Sequence, residues 1–81
     1  MNKLTEDEKV ILRNIDKNYK WIARDEDGGL FVYIEKPIKG NICWGRYTYT
    51  YASRLDLFNS LFTFIQWEDE EPYLIEDLLK M

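Results

Sequence analysis

The side chains best placed to do chemistry in this sequence are carboxylates. Glu68, Asp69, Glu70 and Glu71 form one uninterrupted run. Such a run has two uses. Acids ahead of a helix stabilise its positive end and stay solvated. Alternatively, they present an electronegative patch to a basic protein, or imitate the phosphates of a nucleic acid. A second acidic stretch, Asp25-Glu26-Asp27-Gly28-Gly29, opens like a calcium loop. It lacks the third ligand pair and the closing glutamate, so the EF-hand pattern fails. Its Asp and Gly content instead specifies a hairpin turn, because both tolerate positive φ. Gly28-Gly29 is no phosphate cradle either, since no strand-to-helix turn with a lysine follows.

Other chemistry is removed by what is missing. The chain has no histidine and one cysteine, Cys43. Imidazole is the usual base near neutral pH and the commonest metal ligand. Ser-His and Cys-His nucleophile pairs and His-containing zinc sites are therefore excluded. No two acids are marked as a buried, mutually tuned pair, and Trp67 beside Glu68 is an ordinary arrangement at an element boundary. The expectation is a protein that is not an enzyme, with no catalytic residue, metal or cofactor. Cys43, between Ile42 and Trp44, reads as a buried structural thiol. One cysteine forms no internal disulfide, which points to a reducing compartment. The start Met1–Lys9 shows no apolar signal core, so the expected location is the cytoplasm.

Tyr47, Tyr49 and Tyr51 alternate with Arg46, Thr48 and Thr50, which places the three rings on one side of a strand. If a helix covers that face, they are core. Uncovered, they form an adaptable protein-contact surface, since Tyr is enriched at interfaces. Base stacking is a third reading, but it normally comes with a positive groove. The candidate partner-binding residues are thus Glu68, Asp69, Glu70, Glu71, Tyr47, Tyr49 and Tyr51.

These residues need elements to hold them. Thr5 and Glu8 have the spacing of a capping box, with Val10, Ile11, Leu12 and Ile15 as the apolar side of the helix that follows. The stretch 19–24 alternates, with Tyr19, Trp21 and Ala23 on one face, and 30–35 returns after the Asp/Gly turn. The aromatic and β-branched content of this second strand suits a sheet with both sides at least partly covered. A third strand, broken at Gly45, is expected from Ile42 to Tyr51. Ser53 then fits a helix cap, and Leu55, Phe58, Leu61, Phe62 and Ile65 recur at helical spacing. Residues 61–67 also alternate like a strand; the helix over 55–64 is the stronger reading. Pro72 suits the first turn of a last helix, with Tyr73, Leu74, Ile75, Leu78 and Leu79 buried. The expected fold is one α+β domain over residues 1–81. It has a small three-stranded antiparallel meander, an N-terminal helix and two C-terminal helices, in the order α-β-β-β-α-α.

Composition agrees with a folded domain. Of 81 residues, 46% are hydrophobic, 16% aromatic and 32% charged, with a net charge of −4. A disordered chain lacks that apolar content, and no stretch approaches the roughly 18 apolar residues of a membrane span. The charge is uneven: residues 66–81 hold six acids against Lys80 alone, while the rest is nearly neutral. No basic stripe tracks phosphates, so nucleic acid is not the expected partner. Small domains bury only about 60% of their unfolded surface, and a homodimer would add to that.

Three stretches carry a resemblance: Tyr19 to Asp25 with Asp27, Gly28 and Leu30; Glu35-Lys36-Pro37; and Phe62 through Trp67 to Pro72, closing on Ile75, Leu78 and Leu79. Together they resemble a group of short uncharacterised proteins encoded by phages and prophages of Gram-positive Firmicutes. The likeness covers most of the chain and is weakest over residues 40–54. It carries no catalytic or ligand-binding residues. It implies a phage-borne protein acting in the cytoplasm of a bacterial host. The leading expectation is then a non-enzymatic protein-binding accessory protein. The alternative is an acidic inhibitor, working as a phosphate mimic against a host nucleic-acid-handling or defence complex.

Overall fold

The computed structural model describes residues 4–41, 43–45 and 52–80. Helix α1, Glu6–Asn14, begins where the sequence expects it. The Glu8 amide donates to Thr5 Oγ1 at 3.2 Å, and the Thr5 amide donates to Glu8 Oε1 at 3.0 Å. Leu12 is buried and Ile11 and Ile15 pack beside it, but Val10 is 53% exposed, so the apolar side is narrower than its composition suggests.

Strands β1, Trp21–Arg24, and β2, Leu30–Tyr33, pair antiparallel, with Ile22 opposite Val32 and Ala23 opposite Phe31. The expected Asp/Gly turn joins them. The Asp25 amide donates to the Gly29 carbonyl at 2.9 Å, and Gly28 sits at φ +90°, where a side chain would be strained. The strand period of two divides the side chains between two cores. Ile22, Leu30 and Val32 face a core completed by Leu4, Leu12, Phe62, Ile65, Ile75 and Leu78. Ala23 and Tyr33 face the other way, against Trp44, with Trp21, Phe31 and Trp67 packed around them. Both sheet faces are therefore at least partly covered, as the second strand's composition implied. Tyr19 departs from the expected alternation. It precedes β1 and packs on the first core, and its hydroxyl lies 2.7 Å from Ser53 Oγ.

Three corrections concern the rest of the chain. The sheet is not a three-stranded meander. Among the described residues it has four strands in the order β5-β2-β1-β6, where β5 is Ala52–Arg54 and β6 is Tyr73–Leu74. A separate two-stranded ribbon pairs β3, Ile38–Lys39, with β4, Trp44–Gly45. Ser53 lies in β5 rather than capping a helix. Of the expected broken third strand, Ile42 and residues 46–51 lie outside the described residues.

The expected helix over 55–64 is replaced by a short 3-10 turn, Asp56–Phe58, and a chain of tight turns. Phe58 donates to Leu55, Leu61 to Phe58 and Ile65 to Phe62, each amide reaching a carbonyl three residues back. Turns closed every three residues send Leu55, Phe58, Leu61 and Phe62 to the same core, which is why the spacing imitates a helix. The run breaks at Phe62, whose φ of +55° is outside any right-handed helix.

The last helix starts later than Pro72. Tyr73 and Leu74 pair with Ile22 and Trp21 as an edge strand, and α2 covers Ile75–Lys80. Of the two expected C-terminal helices, the described residues hold this one α-helix. Ile75 and Leu78 are buried by it. Among the described residues, no helix is long and apolar enough to cross a membrane.

Candidate functional site

The outer face of the sheet carries the most distinctive surface. Trp21, Phe31 and Trp67 are half-buried there, around the buried Ala23, Tyr33 and Trp44. Each half-buried ring carries a cation. Lys36 Nζ lies 5.6 Å from the Trp21 ring centre, Arg54 Cζ 4.8 Å from Phe31 and Lys39 Nζ 4.5 Å from Trp67. Cations are drawn to the negative face of an aromatic ring. Two of the three are also tied to acids: Lys36 to Glu71 at 3.3 Å and Arg54 to Asp56 at 2.8 Å. The Asp56 carboxylate, by accepting a hydrogen bond, holds Arg54 above its ordinary pKa.

The four acids at 68–71 sit at the rim of this face on a closed turn. The Asp69 amide donates to the Gln66 carbonyl at 3.1 Å, and the Gln66 amide donates to Asp69 Oδ2 at 3.0 Å. Asp69 is half-buried, Glu71 pairs with Lys36, and Glu68 and Glu70 are exposed. The run does not precede a helix; strand β6 intervenes, so its local role is to build a turn rather than to complement a dipole. Burial, then the Asp69 charge and hydrogen bond, raise the pKa of Tyr73 beside it. Tyr47, Tyr49 and Tyr51 lie outside the described residues.

Cys43 is exposed, against the expectation of a buried thiol. In the ribbon its neighbour Trp44 takes the inward position and is 5% exposed. Trp44 is fixed twice, its amide donating to Asp25 Oδ1 at 3.0 Å and its indole to the Arg24 carbonyl at 3.1 Å. Asp25 is buried, and that desolvation raises its pKa despite the Trp44 hydrogen bond. Burial likewise pushes the Tyr33 phenol well above its usual range, with Asp25 and Cys43 adding to the effect.

Two polar groups that the sequence did not single out organise the segment carrying Trp67. Arg24 donates to the carbonyls of Gly28, Asn59, Leu61, Phe62 and Ile65, at 2.7 to 3.2 Å. Burial lowers its pKa, yet a guanidinium stays charged at any ordinary pH. Glu8 uses its second oxygen to accept the Phe62 amide at 2.6 Å. The capping-box spacing revealed Glu8 as a helix residue, but its reach to Phe62 has no local signal. In the sequence Arg24 alternates with Lys20 and Ile22, opposite the apolar row Tyr19, Trp21 and Ala23, so no local signal marks it as the anchor of residues 59–65.

A groove of about 310 Å³ lies between the end of α1 and α2, with Leu12, Ile15, Tyr19 and Leu79 among its walls and Lys17 and Lys20 at its edge. Among the described residues, no three Cys, Asp or Glu side chains converge as a metal site. No known protein family, curated protein or solved structure matches this chain, so the reading of the site rests on its own geometry.

Proposed function

We propose that the chain is a non-enzymatic protein-binding accessory protein, of phage or prophage origin, acting in the cytoplasm of a bacterial host. The observation that carries this reading is the set of half-buried rings Trp21, Phe31 and Trp67 within a rim of both charge signs. Aromatic residues framed by polar groups suit a protein contact. Two of the three cations are matched locally by acids, which disfavours a polyanionic partner. The resemblance to small phage proteins supplies the setting. Tagged protein should recover a host or phage protein reproducibly at near-physiological salt, and Trp21→Ala should release it while leaving the melting transition in place. Recovery of nothing reproducible would sink the reading.

A second reading follows from Glu68 and Glu70, exposed on a turn of fixed geometry. It makes the protein an acidic inhibitor that mimics phosphates toward a host nucleic-acid-handling or defence complex. Neutralising Glu68, Asp69, Glu70 and Glu71 together should then abolish inhibition. Glu71 is exposed but pairs with Lys36, and Asp69 closes the turn, so Glu68 and Glu70 remain as a short mimic and the protein-binding face is the stronger reading. A second copy of the chain would also fit that face, and a monomeric scattering mass removes it.

A further inference from the structure

We propose that the corner between Trp44 and Trp67 is a receptor for an alkylammonium group, filled here by the protein's own Lys39 and opened to a lysine of a basic segment on a partner protein. The inference rests on the protein-binding reading and narrows it to a ligand class.

Lys39 shows what the corner accepts. Its Nζ lies 4.5 Å from the Trp67 ring centre and 5.8 Å from that of Trp44, and donates to the Asp69 carbonyl at 3.0 Å. The indoles meet edge to face, at 79° and 6.5 Å, which leaves an angle between them for a compact cation. Two π faces and one carbonyl oxygen are the elements of an ammonium-binding cage. Lys36 and Arg54 also lie over rings, but each closes an ion pair with Glu71 or Asp56. The contacts described for Lys39 are all to neutral groups.

The walls stand without their occupant. Trp44 is held by Asp25 and by the Arg24 carbonyl, and Trp67 lies within the turn closed between Gln66 and Asp69. Lys39 itself belongs to a ribbon of only two residue pairs, Ile38 with Gly45 and Lys39 with Trp44. Lys39 is only half-buried, so its flexible side chain can swing to solvent without breaking those backbone pairs. Both indoles then remain in place. Glu68 and Glu70, exposed on either side of Asp69, would draw in a basic segment and repel phosphate.

The test uses the full chain. Lys39→Ala empties the cage, and n-butylammonium and a short lysine peptide serve as probes, followed by tryptophan fluorescence and indole N–H shifts. Lys39→Ala should bind butylammonium saturably and about fivefold tighter than the parent, the size of one partly desolvated cation–π contact. Adding Trp67→Leu should remove that gain. If circular dichroism shows this variant misfolded, Trp67→Phe should give a graded loss through its weaker ring. Equal binding by parent and Lys39→Ala would overturn the proposal. So would peptide binding that survives loss of Trp67 and disappears with Glu68→Gln and Glu70→Gln, because the acids alone would then be the attraction. A host partner still recovered alongside either result would leave protein binding standing and remove only the cage.

Discussion

Glu8 and Phe62, 54 positions apart, are joined by a 2.6 Å hydrogen bond from the Phe62 amide to the Glu8 carboxylate. The residue so gripped is fully buried and has a φ of +55°, a conformation that bulky side chains avoid. Arg24 holds the same residue from its carbonyl side, at 3.2 Å. A carboxylate and a guanidinium thus over-determine one strained peptide, which is how such strain persists in a folded chain.

Replacing Glu8 with Ala should cost about 2–4 kcal/mol, because it orphans a buried amide and removes half of the capping box. Urea denaturation measures it directly. Glu8→Gln keeps an acceptor for the Phe62 amide and should lose less. A Glu8→Ala protein as stable as the parent would show that the Phe62 amide finds another partner.

Arg24→Lys keeps the charge and discards the planar fork that reaches five carbonyls. An ammonium has three donors and no fixed plane. A loss of about 2–3 kcal/mol is expected, since at least two buried carbonyls are left unmatched. Faster hydrogen exchange in residues 59–66 should accompany it, with the β1–β2 amides less affected.

Asp25 gives the stability a defined pH dependence. Its pKa is raised in the folded state by burial, so the native protein holds the proton more tightly than the unfolded chain. Stability from this group is complete below the unfolded value of about 3.9 and falls as pH rises through the folded one. Asp25→Asn keeps an oxygen for the Trp44 amide and cannot ionise. The variant should equal or exceed the parent at pH 7, with the difference shrinking as both are brought to pH 3. A parent-to-variant difference independent of pH would refute the assignment.

Cys43 should react with a thiol reagent in the native state, stoichiometrically and without added denaturant, because it is exposed. Its neighbour Trp44 should stay buried throughout, and the tryptophan emission should change little on labelling. Labelling that requires unfolding would place the thiol inside.

Local signals in the sequence were legible where the physics is local. The capping box of Thr5 and Glu8, the Asp25–Gly29 turn and the two strands it joins each follow from neighbouring residues. The recurring apolar positions Leu55, Phe58, Leu61, Phe62 and Ile65 do meet at one core, Phe62 and Ile65 buried and the other three packed against it. Their conformation was not legible, because a succession of three-residue turns and an α-helix share nearly the same spacing. What decides between them is distant: Arg24 takes the carbonyls of Asn59, Leu61, Phe62 and Ile65, and Glu8 takes the Phe62 amide. Tyr73 and Leu74 carry a helical spacing in the sequence for a related reason, since their strand pairing depends on residues 21 and 22. The candidate acids were visible as a run. The aromatic face beside them was not, because it gathers Trp21, Phe31, Trp44 and Trp67 from four separate segments.

The sheet order has a consequence for the chain as it is being made. Strand β1 meets β2 after a short turn, but its other neighbour, β6, is supplied about fifty residues later. At about 5–20 residues per second, a ribosome delivers that neighbour roughly 3 to 10 s after β1. Throughout that interval the central strand of the finished sheet is an unprotected edge, open to pairing with another nascent chain. The pace of translation across residues 25–72 therefore sets the time during which mispairing competes with closure.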